Sequence, residues 1–114
     1  MLKRNNQNKG IRDEFSFMLN GKSDTTSYYT LKGLVFTNEA SYMEKELERA
    51  AGPGCSRIVI NMALVRAFSS AGIRVILICY KRMKSLGGTL QIENPSENVR
   101  NVLGMTALDE LLLK

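Results

Sequence analysis

Histidine is absent from this 114-residue chain, and so is tryptophan. Without imidazole the chain has no ordinary general base near neutral pH, no Ser-His or Cys-His couple and few of the usual zinc-site designs. Neither catalysis nor a metal site is expected, and no motif asks for another cofactor. Cysteine is scarce: Cys55 and Cys79 stand far apart and outside any CxxC pair or metal-ligand spacing, which fits two reduced thiols. Long apolar runs are missing as well. The longest, Val75 to Tyr80, is far too short to cross a bilayer, and the polar, basic stretch from Met1 to Lys9 lacks the apolar centre of a secretory signal. A soluble, cytoplasmic protein without membrane insertion is the expectation.

Acidic residues are lacking at the front of the chain. Residues 1 to 12 carry Lys3, Arg4, Lys9 and Arg12 and no acid, so residues 13 to 114 hold 12 bases against 11 acids. The net charge of +5 therefore belongs mostly to a polar tail, and the remainder is nearly neutral. A nucleic-acid reader needs a basic face on the fold itself, so no nucleic-acid partner is expected. The reading is a mobile tail over 1–12 and one folded domain over 13–114. Composition agrees, since 44% hydrophobic and 24% charged residues are ordinary for a globular chain and exclude disorder throughout.

What is present alternates. Phe15, Phe17 and Leu19 point one way and Ser16, Met18 and Asn20 the other, which predicts a strand. Asn20-Gly21 with Lys22, Ser23 and Asp24 predicts the turn of a hairpin that returns over Ser27 to Leu34. Thr37 or Asn38 is the expected cap of a helix carrying Ala40, Met43, Leu47 and Ala50 on one side, stopped by Gly52-Pro53-Gly54. Arg57 to Met62 predicts a strand apolar on both faces. The apolar stretch after Gly72 is rich enough in β-branched residues for a strand, yet its length and the stripe Ile73, Ile76, Leu77, Tyr80, Met83 predict a helix. Gly87-Gly88 ends it. Thr89 to Ile92 predicts a strand, Ser96-Glu97 opens a helix with Val99, Val102 and Leu103, and Leu108, Leu111 and Leu112 form a helical turn or a short edge strand. The order ββαβαβα predicts an α/β domain with a four- to five-stranded mixed sheet and helices mainly on one face.

The run Ile58-Val59-Ile60-Asn61-Met62 through Phe68-Ser69-Ser70-Ala71-Gly72-Ile73-Arg74-Val75-Ile76-Leu77 resembles the STAS domain of the anti-sigma factor antagonists, a bacterial family. So do Lys84 to Gly88 with Leu90 and Ile92, Val99 to Leu103, and Leu108-Asp109-Glu110-Leu111. The resemblance covers residues 15 to 113. It implies a non-catalytic regulator of transcription that works by partner switching, docking on an anti-sigma factor or related serine kinase. It also implies a docking turn, here Phe68, Ser69, Ser70, Ala71, Gly72, Ile73 and Arg74. In relatives that turn reads Asp-Ser-Ser-Gly or Asp-Ser-Thr-Gly, and the residue before Gly accepts a phosphate. Here Ala71 holds that position, Ser70 precedes it and Ser69 replaces the acid. The phosphorylation candidates are therefore Ser70 and Ser69. The acid that relatives carry after the second strand is also missing, since Lys32-Gly33 runs on into Leu34-Val35.

Each feature has a plainer reading. A serine at a helix start caps the backbone whether or not it is regulated. Arg66 and Arg74 flank the turn as solvated charges or as phosphate partners. The adjacent pairs Asp13-Glu14 and Asp109-Glu110 are surface charge, because neighbours on a helix point in different directions. Gly52-Pro53-Gly54 lacks the following Lys-Ser/Thr of a phosphate loop. Two other functions compete: a STAS subunit held constitutively in a larger complex such as a membrane-transport assembly, and a small nucleotide-binding domain. Deleting residues 1–10, with almost nothing apolar to bury, is expected to leave the melting temperature within a few degrees of the full chain by calorimetry.

Overall fold

The structure, a computed structural model, describes residues 14–106 and 108–113. The basic tail and Asp13 lie outside them. Eight elements follow in order: β1 (Ser16–Ser23), β2 (Thr26–Val35), α1 (Thr37–Ala50), β3 (Arg57–Phe68), α2 (Ser70–Ser85), β4 (Thr89–Glu93), α3 (Glu97–Met105) and α4 (Asp109–Leu112). The described strands form one sheet in the order β1-β2-β3-β4. β1 and β2 pair antiparallel, whereas β2 with β3 and β3 with β4 are parallel, because a hairpin joins the first pair and a helix crosses between each later one. This is the mixed α/β sheet that the sequence predicts.

Alternation decides which side is buried. Leu31 and Val35 of β2, Ile58, Ile60 and Met62 of β3, and Leu90 and Ile92 of β4 meet Ala40, Met43 and Leu47 of α1 in one cluster. Val75, Ile76, Cys79 and Met83 of α2, Val99 and Leu103 of α3 and Leu112 of α4 join the same cluster. The helices therefore lie on one face, each buried Val, Leu or Ile contributing about 1.5–3 kcal/mol of transfer free energy. Among the described residues the opposite face carries no helix. Val59 points there, between Tyr28 and Gln91 in the register, and is buried outside the cluster beside the Arg57 Nη2 to Gln91 Oε1 hydrogen bond of 2.6 Å. That explains why this strand is apolar on both sides in sequence.

Four expectations are corrected. The hairpin turn is confined to Asp24-Thr25, at the far end of the expected stretch from Asn20 to Asp24, because a bulge between Leu19 and Gly21 absorbs one residue and the ladder runs on to Ser23 opposite Thr26. Asp24 adopts φ 55, a left-handed conformation that Asp tolerates. β3 continues past Met62 to Phe68 through two irregularities in its register with β2. Phe36, in place of Thr37 or Asn38, is the N-cap of α1. Having no side-chain acceptor, Phe36 leaves the entrance to Glu39, whose Oε1 accepts from the Phe36 N–H at 3.1 Å. A Ser or Asp cap there would stabilise the helix by about 1 kcal/mol.

The fourth correction is rotational. α2 buries Gly72, Val75, Ile76, Cys79 and Met83, so the inward stripe is turned by about one residue from the predicted one. Ile73 and Tyr80 pack partly on the core, and Leu77 is only half-buried. The reason is α1, which packs along α2 and covers the Val75–Cys79 side. Burial, with a smaller contribution from Cys55, pushes the Cys79 thiol up to about 12 despite Arg82, so it stays protonated. Ile76→Ala is expected to cost about 2–5 kcal/mol as a core cavity, and Leu77→Ala clearly less. Denaturant titration of both variants checks the rotation, and equal losses would contradict it.

Candidate functional site

Because β2 and β3 run parallel, their C-terminal ends leave the sheet along the same edge, and α1 and α2 both begin there. One backbone bond ties the two exits together, the Ser69 N–H donating to the Val35 carbonyl at 3.0 Å. α3 starts at that edge too. Ser96 caps it, its Oγ accepting from the Val99 N–H at 3.3 Å while donating to the Val65 carbonyl at 2.8 Å.

The predicted docking turn sits at the centre. Ser69 is the N-cap of α2 in extended conformation, and its Oγ accepts from the Gly72 N–H at 3.4 Å. The first helical bond follows, from the Ile73 N–H to the Ser69 carbonyl at 3.1 Å. No acceptor among the described residues takes the N–H groups of Ser70 and Ala71, as expected of the orphan donors in a first helical turn. The same turn contains no acid, and Arg74 follows Ser70 by one turn of helix. The positive pole of α2 therefore has no compensating acid in its own first turn.

The seven predicted residues divide by depth. Ser70 and Arg74 are exposed, Ser69, Ala71 and Ile73 are half-buried, and Phe68 and Gly72 are buried. The last two act from beneath. A Cβ on Gly72 would lie 2.8 Å from Cε1 of Phe68 and 3.1 Å from Cγ1 of Val35, so only glycine lets the helix start this close to the strand exits. Ala71 presents no hydroxyl at the position where the family resemblance expects one. Arg66 is exposed on β3, and its carbonyl accepts from the Asn98 side chain. The sequence reading passed over two further residues near this edge. Phe36, the cap of α1, is 50% exposed, and Leu64, beside the β3 irregularity, is 56% exposed. A Phe standing directly before a capless helix start was the available signal for the first; nothing in the local pattern marked the second.

Among the described residues no cluster of His, Cys, Asp or Glu could hold a metal, and no helix is long and apolar enough to cross a membrane. The geometry offers an exposed hydroxyl, unpaired N–H donors and a flanking guanidinium on a rigid edge, which suits recognition of a partner surface or an anion.

Known proteins share this architecture. A family model described as the STAS domain matches residues 18–114. A Bordetella bronchiseptica protein, BtrV, provisionally named an anti-sigma factor antagonist, is 32% identical over 72 residues; the match spans 63% of this chain and 62% of BtrV. The anti-sigma factor antagonist SpoIIAA in its unphosphorylated form superposes with a TM-score of 0.78 at 19% identity over 86% of both chains. The phosphorylated form of Bacillus SpoIIAA gives 0.72 at 18% identity over 86% of this chain and 89% of that one.

Ser69→Ala removes the side-chain cap and is expected to cost about 1 kcal/mol, whereas exposed Ser70→Ala should stay within about 0.5 kcal/mol of the parent. Thermal or urea unfolding of the two variants decides which serine supports the fold.

Proposed function

The chain belongs to the STAS domain family, and we propose that it is a non-catalytic regulator that docks on an anti-sigma factor through the α2 entrance and is released when Ser70 is phosphorylated. The carrying observation is the division of labour between the two serines. Ser69 is committed to the helix cap, while Ser70 is exposed beside it on a helix start that has unpaired donors and no acid. The similarity to anti-sigma factor antagonists supports an anti-sigma factor as the partner class, and the proposal adds that this partner is also a serine kinase.

The chemistry is electrostatic. Transfer of a phosphoryl group from ATP to Ser70 Oγ, with loss of the hydroxyl proton, adds about two negative charges. The fold tolerates them, since the helix N-terminus offers N–H groups and the positive dipole end, and Arg74 lies one turn away. A partner surface packed on the unmodified turn would instead have to bury that dianion, which is costly unless it is fully paired. Docking is thereby lost while the domain stays folded. The modification acts on the interface alone.

A second reading is favoured by Ala71. A chain without a hydroxyl at the family's acceptor position suits a subunit held permanently in a larger complex. The test separates the two. After incubation with the anti-sigma factor kinase and ATP, mass spectrometry should place the phosphate on Ser70. Ser70→Asp should weaken partner binding by about tenfold or more at an unchanged melting temperature, and Ser70→Ala should bind whether or not ATP is present. Phosphate on another residue, or parental affinity of Ser70→Asp, would overturn the switch and leave the constitutive subunit.

A further inference from the structure

Phe36 and Leu64 break local rules at adjoining places. Phe36 holds a cap position that favours Ser, Thr, Asp or Asn, and its ring is 50% exposed. Its backbone is still extended, φ −116 and ψ −159, so the alternation of β2 continues through it. Leu31 and Val35 face the core, hence Lys32, Leu34 and Phe36 face the helix-free side. Leu64 pairs with Lys32 across the register irregularity that follows Asn61, and is 56% exposed. An extra residue of this kind re-aims a side chain. The two side chains therefore share the open face, four residues apart along the strand direction or about 13 Å, with half-buried Leu34 and Ala67 between them.

We infer that Phe36 and Leu64 are the apolar anchors of the docking surface, which runs from the Ser70 turn onto the helix-free face of the sheet. The occupant is the anti-sigma factor, through an apolar socket that receives both side chains. This rests on the docking role proposed above and extends its footprint. Continuity with the turn carries the placement, because Phe36 follows Val35, whose carbonyl holds the Ser69 N–H. Lys32 lies beside Leu64 in the register and Glu93 lies on the same face, so the strip itself is close to neutral and its apolar side chains set the chemistry of the partner. Aromatic side chains are enriched and charged ones depleted at the centres of protein interfaces.

The test uses the full chain and the purified anti-sigma factor, with affinity read by calorimetric titration and stability by thermal unfolding. Phe36→Ser supplies the missing cap, so its melting temperature should equal or exceed the parent's while affinity falls about 100-fold. Leu64→Ser should lose about tenfold without destabilisation. Met105→Ser, on a residue 81% exposed at the other end of α3, should bind like the parent and exclude a general effect of surface hydrophobicity. If the parent binds, Ser70→Asp weakens it and Phe36→Ser binds like the parent, the anchors are overturned and the docking turn stands. If the parent itself fails to bind, both are overturned. A Phe36→Ser variant that loses affinity only because it melts earlier also overturns the inference, since Phe36 would then serve the fold.

Discussion

The parallel pairing of β2 with β3, closed by the Ser69 N–H on the Val35 carbonyl, is the constraint on which the candidate functional edge depends. Parallel strands must release their chains on the same side, and each released chain here turns at once into a helix. Two helix N-termini are thus held next to each other by backbone geometry, before any side chain is chosen. Gly72 follows from the same constraint. Phe68 and Val35 leave no room for a Cβ where α2 enters, so the glycine serves packing and the residues above it, Ser70 and Arg74, are left to the surface.

Much of this was legible in the sequence because the relevant residues obey a single rule each. Ile58-Val59-Ile60 is apolar on both sides, and its strand is flanked on both edges. Ser96-Glu97 is a helix start, and Ser96 does cap α3. The turn Ser69 to Gly72 stands where the resemblance located it. Where a segment satisfies two rules at once, the sequence did not choose. Between Ile73 and Tyr80 every position except Arg74 is apolar or cysteine, so a stripe through Ile73 and Leu77 and one through Val75 and Cys79 are equally periodic. The docking of α1 selects the second, a long-range fact with no local trace.

The hairpin and Phe36 failed to be read for a related reason. Asn20-Gly21 has the chemistry of a turn, but the same chemistry serves a bulge within a continuing strand, and only the pairing of Lys22 and Ser23 with Ser27 and Thr26 shows which was used. At the start of α1, Thr37 and Asn38 looked like caps because both carry the right oxygen. The extended conformation of Phe36 places the boundary one residue earlier, and Glu39 reaches back to complete it.

The burial of Val75, Ile76, Cys79 and Met83 along α2 bears on how any message delivered at its entrance would travel. A rod cemented over three turns does not pivot, and a charge placed at its tip has no lever to push. Information written there stays at the address where it is written, so the domain would work as a label to be read by contact. Its response time would be that of the enzymes writing and erasing the label, with no slow internal rearrangement to wait for.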